Sequence, residues 1–162
     1  MPTLTADKQA ISRAMQGDQT AFREIYDQCS GAVFNYLLRM IGSESDADDV
    51  LQEVFVKVFL RIQTLRDPQA FVSWLFSTAR HEAINFLRKQ KRRKMDSIEK
   101  ELGEKKNSIL DQIESSERRP DLAAADEDLQ EHVQEALAQV PEINRSAFIL
   151  GVLQGYSYKE VG

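Results

Sequence analysis

Apolar residues recur every three or four positions from residue 6 to residue 94 of the 162-residue chain. That spacing lines one face of an α-helix, and no segment shows the sustained alternation expected of a half-buried strand. The pattern therefore predicts an all-α fold, with four helices in this part of the chain. We expect them over residues 7–15 and 20–41, from Ser45 to about residue 65, and from Gln69 into the basic run that ends at residue 94.

Local signals mark the expected helix ends. Gly42 is the predicted stop of the second helix, Ser45 is a predicted N-cap followed by acidic residues, and the Asp67-Pro68 pair breaks the chain before the fourth helix. The residues expected to be buried are Phe22, Ile25, Tyr26, Cys29, Val33, Leu37, Ile41, Val50, Leu51, Val54, Phe55, Val58, Phe59, Ile62, Phe71, Leu75, Ala79, Ala83, Phe86 and Leu87.

The composition changes after residue 94. Residues 95–128 are rich in charge and poor in aromatic residues, which is typical of a flexible linker. Helical spacing returns over residues 129–162, interrupted at Pro141, and SYKE at 157–160 has the form of a capping box that opens another helix. We therefore expect a first domain over residues 1–94, a linker, and a second helical domain over 129–162 that is truncated within its last helix.

The charge is unevenly distributed along a chain whose net charge is -5. Residues 61–94 carry nine Lys and Arg against two Asp and Glu, while the segments on both sides are net acidic. Six of the seven residues in RKQKRRK, at 88–94, are cationic. A basic island of this kind indicates a local site for a polyanion; the alternative is a solvated helix end, because cations also favour helix C-termini.

The remaining composition narrows the class of protein. The single cysteine, Cys29, excludes an intramolecular disulfide and fits a reducing compartment. No apolar run approaches the ~18 residues of a membrane span, and the N-terminus lacks the pattern of a signal peptide. The sequence therefore predicts a cytoplasmic protein without membrane insertion.

Polar side chains lie opposite the buried face of the fourth helix when residues 71–92 are projected at 100° per residue. They include an indole, an imidazole, an amide and two guanidinium groups, which are the groups that stack on unpaired bases, bind base edges and hold phosphates. A plainer alternative has the indole packing under the preceding loop. This set, called the polar stripe below, consists of Trp74, Thr78, His81, Asn85, Arg88 and Arg92.

Three segments together carry a family resemblance. FREIYDQCSGAVFNYLLRMIG, SDADDVLQEVFVKVF and FVSWLFSTARHEAINFLRKQKRR, in that order, resemble the second conserved region of bacterial sigma factors of the extracytoplasmic-function (ECF) group. LAQVPEINRSAFILGVLQGYSYKEVG resembles the start of their fourth region. The resemblance covers nearly everything outside the first twenty residues and the linker, and it implies a protein that directs core RNA polymerase to promoters under the control of an anti-sigma factor.

The resemblance also implies residue roles. The helix matching DADDVLQEVFVKVF is the one that docks on the clamp helices of the largest polymerase subunit, and helical geometry turns the matching positions away from the buried stripe of the third helix. Val56 and Leu60, apolar on a polar face, fit a surface that a partner covers. The residues expected to bind core polymerase are Asp49, Gln52, Glu53, Val56 and Lys57.

The fourth helix and the loop before it are implied to open the -10 promoter element. In that interpretation RKQKRRK binds phosphates, while the stripe and loop select the sequence. His81 stands where many members of the family carry Asn, and the chain stops before the helix that would bind the -35 element. The residues expected to bind DNA are Trp74, Arg80, His81, Asn85, Arg88, Lys89, Lys91, Arg92 and Arg93.

Two other classes of protein compete with a promoter-binding protein. A helical adaptor that binds only proteins would also explain the amphipathic helices, with the basic run as a solvated helix end. An enzyme is disfavoured because His81 and His132 fall in different predicted domains, and no metal-ligand spacing or Gly-rich phosphate loop occurs. The sequence therefore predicts neither a catalytic residue nor a metal or other cofactor.

Overall fold

The computed structural model of the chain describes residues 4–104 and 125–156. All regular structure in these residues is helical, as the hydrophobic spacing predicts. Two short 3₁₀ turns, Ile62–Thr64 and Pro68–Ala70, connect the third and fourth helices, and a π-helical turn, Ile149–Leu153, follows the sixth. The α-helices are α1 Lys8–Met15, α2 Gln19–Ile41, α3 Glu44–Arg61, α4 Phe71–Glu104, α5 Ala125–Ala138 and α6 Glu142–Phe148.

Side-chain caps fix where the first three helices begin. Asp7 accepts a hydrogen bond from the Gln9 amide at 2.9 Å, and Asp18 accepts one from Thr20 at 2.9 Å. The cap of α3 is Ser43, whose hydroxyl accepts from the Asp46 amide at 3.3 Å. The predicted cap at Ser45 is therefore wrong, because the left-handed turn just before Ser43 already lets the helix start at Glu44 and places Ser45 inside its first turn.

Gly42 supplies that left-handed turn between α2 and α3. Its φ angle is +85°, and its amide donates back to the Leu38 carbonyl at 2.8 Å, closing the end of α2. A side chain would be strained at this φ, and a Cβ there would lie 3.1 Å from Gln134 Nε2 of α5. The predicted stop of α2 at Gly42 is confirmed.

The core lies along α2, which packs against α1, α3, α4 and α5. Most residues predicted to be buried are buried, including the full set on α3 from Val50 to Val58. The prediction is wrong for two aromatic residues, since Tyr26 is 37% exposed and Phe59 is 45% exposed. Both stay at the edge of the core, where their rings make edge contacts with Phe55 and Phe22.

Helices α5 and α6 and the π-helical turn that follows them also contribute to this core. Leu137, Ile149, Leu150 and Tyr156 belong to one buried cluster with residues of α1 to α4. The Tyr36 and Ser146 hydroxyls meet at 2.7 Å inside it. The predicted division of the chain into two domains stays a prediction, but its two parts are in direct buried contact here.

Helix α4 is longer than the sequence pattern predicts. It passes the expected end at residue 94 and continues to Glu104, although every residue from Met95 to Gly103 is exposed. Good helix formers and the Asp96/Lys100 spacing favour this extension without any packing. The rest of the predicted linker up to residue 124, and the predicted helix opening at residues 157–160, lie outside the described residues.

Within the described residues, no helix is both long enough and apolar enough to cross a lipid bilayer.

Candidate functional site

The exposed side of α3 combines acidic and apolar residues. Asp49, Gln52 and Glu53 are exposed, and Gln52 Nε2 donates to the Asp48 carboxylate at 3.4 Å. Val56 is 58% exposed and Leu60 is 70% exposed, one and two turns further along the same side. This surface, called the α3 face below, is acidic in its first half and leaves two large apolar side chains in water in its second half, which is an arrangement suited to a protein partner.

The apolar part of the α3 face continues onto α2. Phe59 of α3 and Phe22 of α2 pack edge to face with ring centroids 5.0 Å apart. The two rings line a groove of about 240 Å³ together with Gly17 and Leu60. Helical spacing predicts that both aromatic residues lie in the core. The spacing alone cannot show that no other helix covers this edge of the α2–α3 pair.

Lys57 is the exception among the residues predicted to bind polymerase. Its Nζ donates to the carboxylate of Glu82 in α4, and the Lys57 side chain is 44% exposed. Lys57 therefore lies at the flank of α3 that meets α4, rather than at the centre of the α3 face. Glu82 is only 6% exposed and has no sequence signal that singles it out.

The polar stripe on α4 is partly available to a ligand. His81, Arg88 and Arg92 are exposed. Asn85 is half-buried, and its side-chain amide has no hydrogen-bond partner in the described parts of the chain. Trp74 is half-buried against the core, with its ring centroid 6.1 Å from that of Phe71. The Thr78 hydroxyl donates to the Trp74 carbonyl at 2.9 Å and is thus used within the helix.

Arg80 and Lys91 lie away from the polar stripe. At 100° per residue they fall about 120° and 100° from its centre, on the flank that meets α2 and α6. Arg80 is close enough to act electrostatically on Tyr36, whose pKa burial raises to about 12 while Ser146 and Arg80 act in the opposite direction. Lys91 Nζ donates to Glu142 Oε1 of α6 at 2.6 Å, and this hydrogen bond lowers the pKa of Glu142.

The other cations of the basic run have no ion-pair partner within the described residues. Arg88, Lys89, Arg92, Arg93 and Lys94 are all exposed. They are distributed around α4 just after its last buried residue, Leu87, so the run presents positive charge on several sides of the helix. Such a surface binds phosphates without base selectivity, whereas the half-buried amide and the imidazole of the stripe can contact base edges.

The α3 face and the polar stripe belong to adjacent helices that are in direct contact. The acidic and apolar surface of α3 fits a protein, and the cationic, amide-bearing and aromatic surface of α4 fits a nucleic acid. One pair of packed helices can therefore hold a protein and a nucleic acid side by side.

Comparisons with known proteins find a matching family model and similar sequences. Residues 25–93 match the family model for sigma-70 region 2. The chain is 30% identical over 165 residues to the RNA polymerase sigma-H factor of Pseudomonas aeruginosa, covering 99% of this chain and 83% of that protein. It is 31% identical over 159 residues to the ECF RNA polymerase sigma-E factor of Escherichia coli, covering 96% of this chain and 80% of that protein.

A solved structure shares the fold across nearly the whole chain. It is that of CnrH in complex with the cytosolic domain of CnrY, with a TM-score of 0.63 over 96% of this chain and 80% of that one. The two sequences are 23% identical. The likeness includes both the α1–α4 part and the α5–α6 part.

Proposed function

This chain belongs to the ECF sigma factors of the sigma-70 family, which direct core RNA polymerase to promoters, and we propose that it binds the polymerase through the α3 face and the -10 promoter element through α4. The family membership favours this function over the adaptor without promoter recognition. The observation that carries the proposal is the exposure of Val56 and Leu60, at 58% and 70%, beside the acidic residues of α3.

The chemistry of the α3 face supports a polymerase surface that is both basic and apolar. Asp49 and Glu53 offer carboxylates, and Val56 supplies apolar area that is in water until the partner covers it. Interfaces of this kind obtain most of their affinity from a few central apolar contacts, while rim charges set the association rate. Lys57 is left out of the proposed contact surface, because its ammonium group is engaged with Glu82.

The arrangement of α4 supports two separate roles on promoter DNA, base selection and phosphate binding. His81 and Asn85 offer hydrogen-bonding groups that differ in their fit to different bases, so they are proposed to select the -10 sequence. Arg88, Arg92 and the neighbouring cations are proposed to bind the phosphate backbone. Trp74 is proposed to support the base-facing surface from below, since it is half-buried.

The likeness to a complex between CnrH and the cytosolic domain of CnrY supports a second partner, an anti-sigma factor that holds the factor inactive. Because polymerase and promoter DNA are the working partners, we place the protein in the cytoplasm. We propose that it acts by binding alone and is not an enzyme.

The polymerase proposal is tested by a double substitution on the α3 face. Glu53→Lys with Val56→Asp reverses one charge and puts a carboxylate into the apolar centre of the proposed contact. We expect affinity for purified core polymerase to fall at least about tenfold, the size of effect that truncation of central interface residues produces. The helical circular dichroism signal and the thermal midpoint should stay near those of the wild type.

The matched control makes the same kinds of change elsewhere. Leu129→Asp with Glu135→Lys also replaces one exposed apolar residue and one exposed carboxylate, on α5. This control should keep most of the affinity for core polymerase. Equal losses in both double variants, or no loss in either, would remove the α3 face from the proposed function.

A further inference from the structure

Glu82 is a buried carboxylate that the polymerase and promoter contacts do not explain. It is 6% exposed and is one of three buried polar or charged residues in the described parts of the chain, with Arg145 and Ser146. Its one described partner is the ammonium group of Lys57. A charged residue this deep in a helical core has to be paired, because an isolated buried charge is strongly unfavourable.

The pair stands at the seam between the two proposed binding surfaces. On α3, Lys57 follows Val56 and lies one turn after Glu53, so it borders the α3 face. On α4, Glu82 lies one turn before Phe86 and next to His81, about 100° around the helix. Within the described residues, the ion pair of Lys57 and Glu82 is the one side-chain hydrogen bond that joins α3 to α4.

Stability alone is a weak reason for such a pair. Taking the Glu82 carboxylate out of water costs about as much as its attraction to the half-exposed Lys57 returns, and an apolar pair of similar volume is often equally stable. What this ion pair provides that apolar packing does not is a directional contact between the two helices, which favours the register in which the Lys57 ammonium group reaches the Glu82 carboxylate. Val54, Phe55 and Phe71 belong to the buried apolar cluster around the pair, and apolar packing is non-directional.

We propose that Glu82 is a positioning residue that, through Lys57, fixes the rotation and register of α4 against α3, so that the polar stripe faces the -10 element once the α3 face is on the polymerase. This proposal rests on the proposed function. Glu82 contacts neither partner. Loss of the pair leaves polymerase binding in place but lets the stripe move relative to the polymerase, which lowers the rate of promoter opening.

The primary test replaces the carboxylate with its neutral isostere, Glu82→Gln. Three quantities are measured: the free energy of unfolding of the factor in urea, its affinity for core polymerase, and the rate at which the holoenzyme opens a duplex fragment carrying 2-aminopurine in the -10 element. The fragment is selected from random DNA by the wild-type holoenzyme. We expect about a tenfold slower opening, as coupled contacts typically give, with polymerase affinity within about twofold.

Binding of the same holoenzymes to a pre-opened fragment separates positioning from general damage. Flexible single-stranded DNA can adjust to a displaced polar stripe more easily than duplex DNA can. The variant should therefore lose less affinity for the pre-opened fragment than it loses in the rate of duplex opening. Glu24→Gln serves as the matched control, because Glu24 pairs with Arg13 at 2.7 Å between α1 and α2, away from α3 and α4. It should leave all three quantities near the wild-type values.

Two further variants keep the test decisive if Glu82→Gln folds poorly. In a Lys57→Met background, Glu82→Gln should slow opening no further, because the pair is already broken. Lys57→Met with Glu82→Leu restores apolar packing and should fold stably while still opening slowly. The positioning role is overturned if the holoenzyme with the apolar pair opens the promoter at the wild-type rate. It is also overturned if Glu82→Gln lowers polymerase affinity and the opening rate in parallel. Failure of the wild-type factor itself to bind polymerase would instead refute the proposed function.

Discussion

The hydroxyl groups of Tyr36 in α2 and Ser146 in α6 lie 2.7 Å apart, although 110 positions separate them in the chain. Both residues are fully buried, so each hydroxyl depends on the other for its hydrogen bond. This interaction joins the part of the chain that resembles sigma region 2 to the part that resembles region 4. Its energetic contribution can be measured directly.

Removal of both hydroxyls of this pair should cost less free energy of unfolding than the two single removals added together. Ser146→Ala leaves the Tyr36 hydroxyl unsatisfied in the core, and Tyr36→Phe leaves that of Ser146. Each should lower the free energy of unfolding by about 1–3 kcal/mol. The double variant should be clearly less destabilised than the sum of the two, as a urea-unfolding double-mutant cycle would show.

Ser77→Ala provides the surface control for that cycle. Ser77 is exposed on α4, so its replacement should change the free energy of unfolding by less than about 0.5 kcal/mol. Strict additivity of the Tyr36 and Ser146 effects would show that the hydroxyls do not interact in solution.

Substitutions on α4 should separate phosphate binding from base recognition. Arg92→Ala with Arg93→Ala should weaken holoenzyme binding to all -10 sequences alike. On a single-stranded fragment, the slope of log affinity against log salt should become shallower by about 0.7 for each phosphate that the arginines no longer neutralise. His81→Ala or Asn85→Ala should instead alter the order of preferred -10 sequences, with about 1–3 kcal/mol for each base hydrogen bond removed.

These effects are best measured with the factor bound to core polymerase on pre-opened fragments. If all four substitutions gave the same loss on every sequence, α4 would act only as an electrostatic clamp. The selective side chains would then lie elsewhere, with the loop from Thr64 to Gln69 as the first candidate.

The extension of α4 should open far more often than its core portion. From Met95 to Gly103 the helix is exposed throughout, whereas Leu75, Ala79 and Ala83 are fully buried. Amide exchange should therefore be fast after residue 94 and slow between residues 75 and 87. Binding of a polymerase or an anti-sigma factor is expected to slow the exchange after residue 94, and uniform slow exchange in the free chain would contradict this.

Cys29 should report on opening of the core. It is fully buried, and burial raises the pKa of its thiol to about 12. Since only the thiolate reacts and the reagent cannot reach it, labelling at neutral pH should be slow in the native state and fast in urea. A Cys29→Ser variant is the blank for this measurement, and rapid labelling without denaturant would show that α2 is not packed as described.

Helical periodicity is enough to predict the α1–α4 bundle, because most of its core residues lie at regular spacing on one face of each helix. It fails for Phe59 and Tyr26, since the spacing cannot show which edge of a buried face has no neighbouring helix. The Lys57–Glu82 pair escapes prediction for a related reason. Two opposite charges 25 positions apart carry no local signal, and only the packing of α3 on α4 brings them together.

The extent of α4 differs from the prediction because charge-rich composition is a weak indicator of a linker. The same Lys, Glu and Leu residues that fail to form a core are good helix formers when they continue an existing helix, where no new nucleation is needed. The surroundings of Lys91 and Arg80 cannot be predicted from the sequence either, because they depend on α6 and α2 lying beside α4.

Arg145 limits which substitutions the junction between α2, α5 and α6 can accept. Its guanidinium donates to the carbonyls of Met40 at 2.6 Å, Ala138 at 3.1 Å and Val140 at 3.0 Å, at the ends of α2 and α5. A lysine has the same charge but not the planar fork that reaches several acceptors at once. Members of the family should therefore keep arginine rather than lysine at position 145, whereas Lys and Arg can replace each other along the exposed basic run.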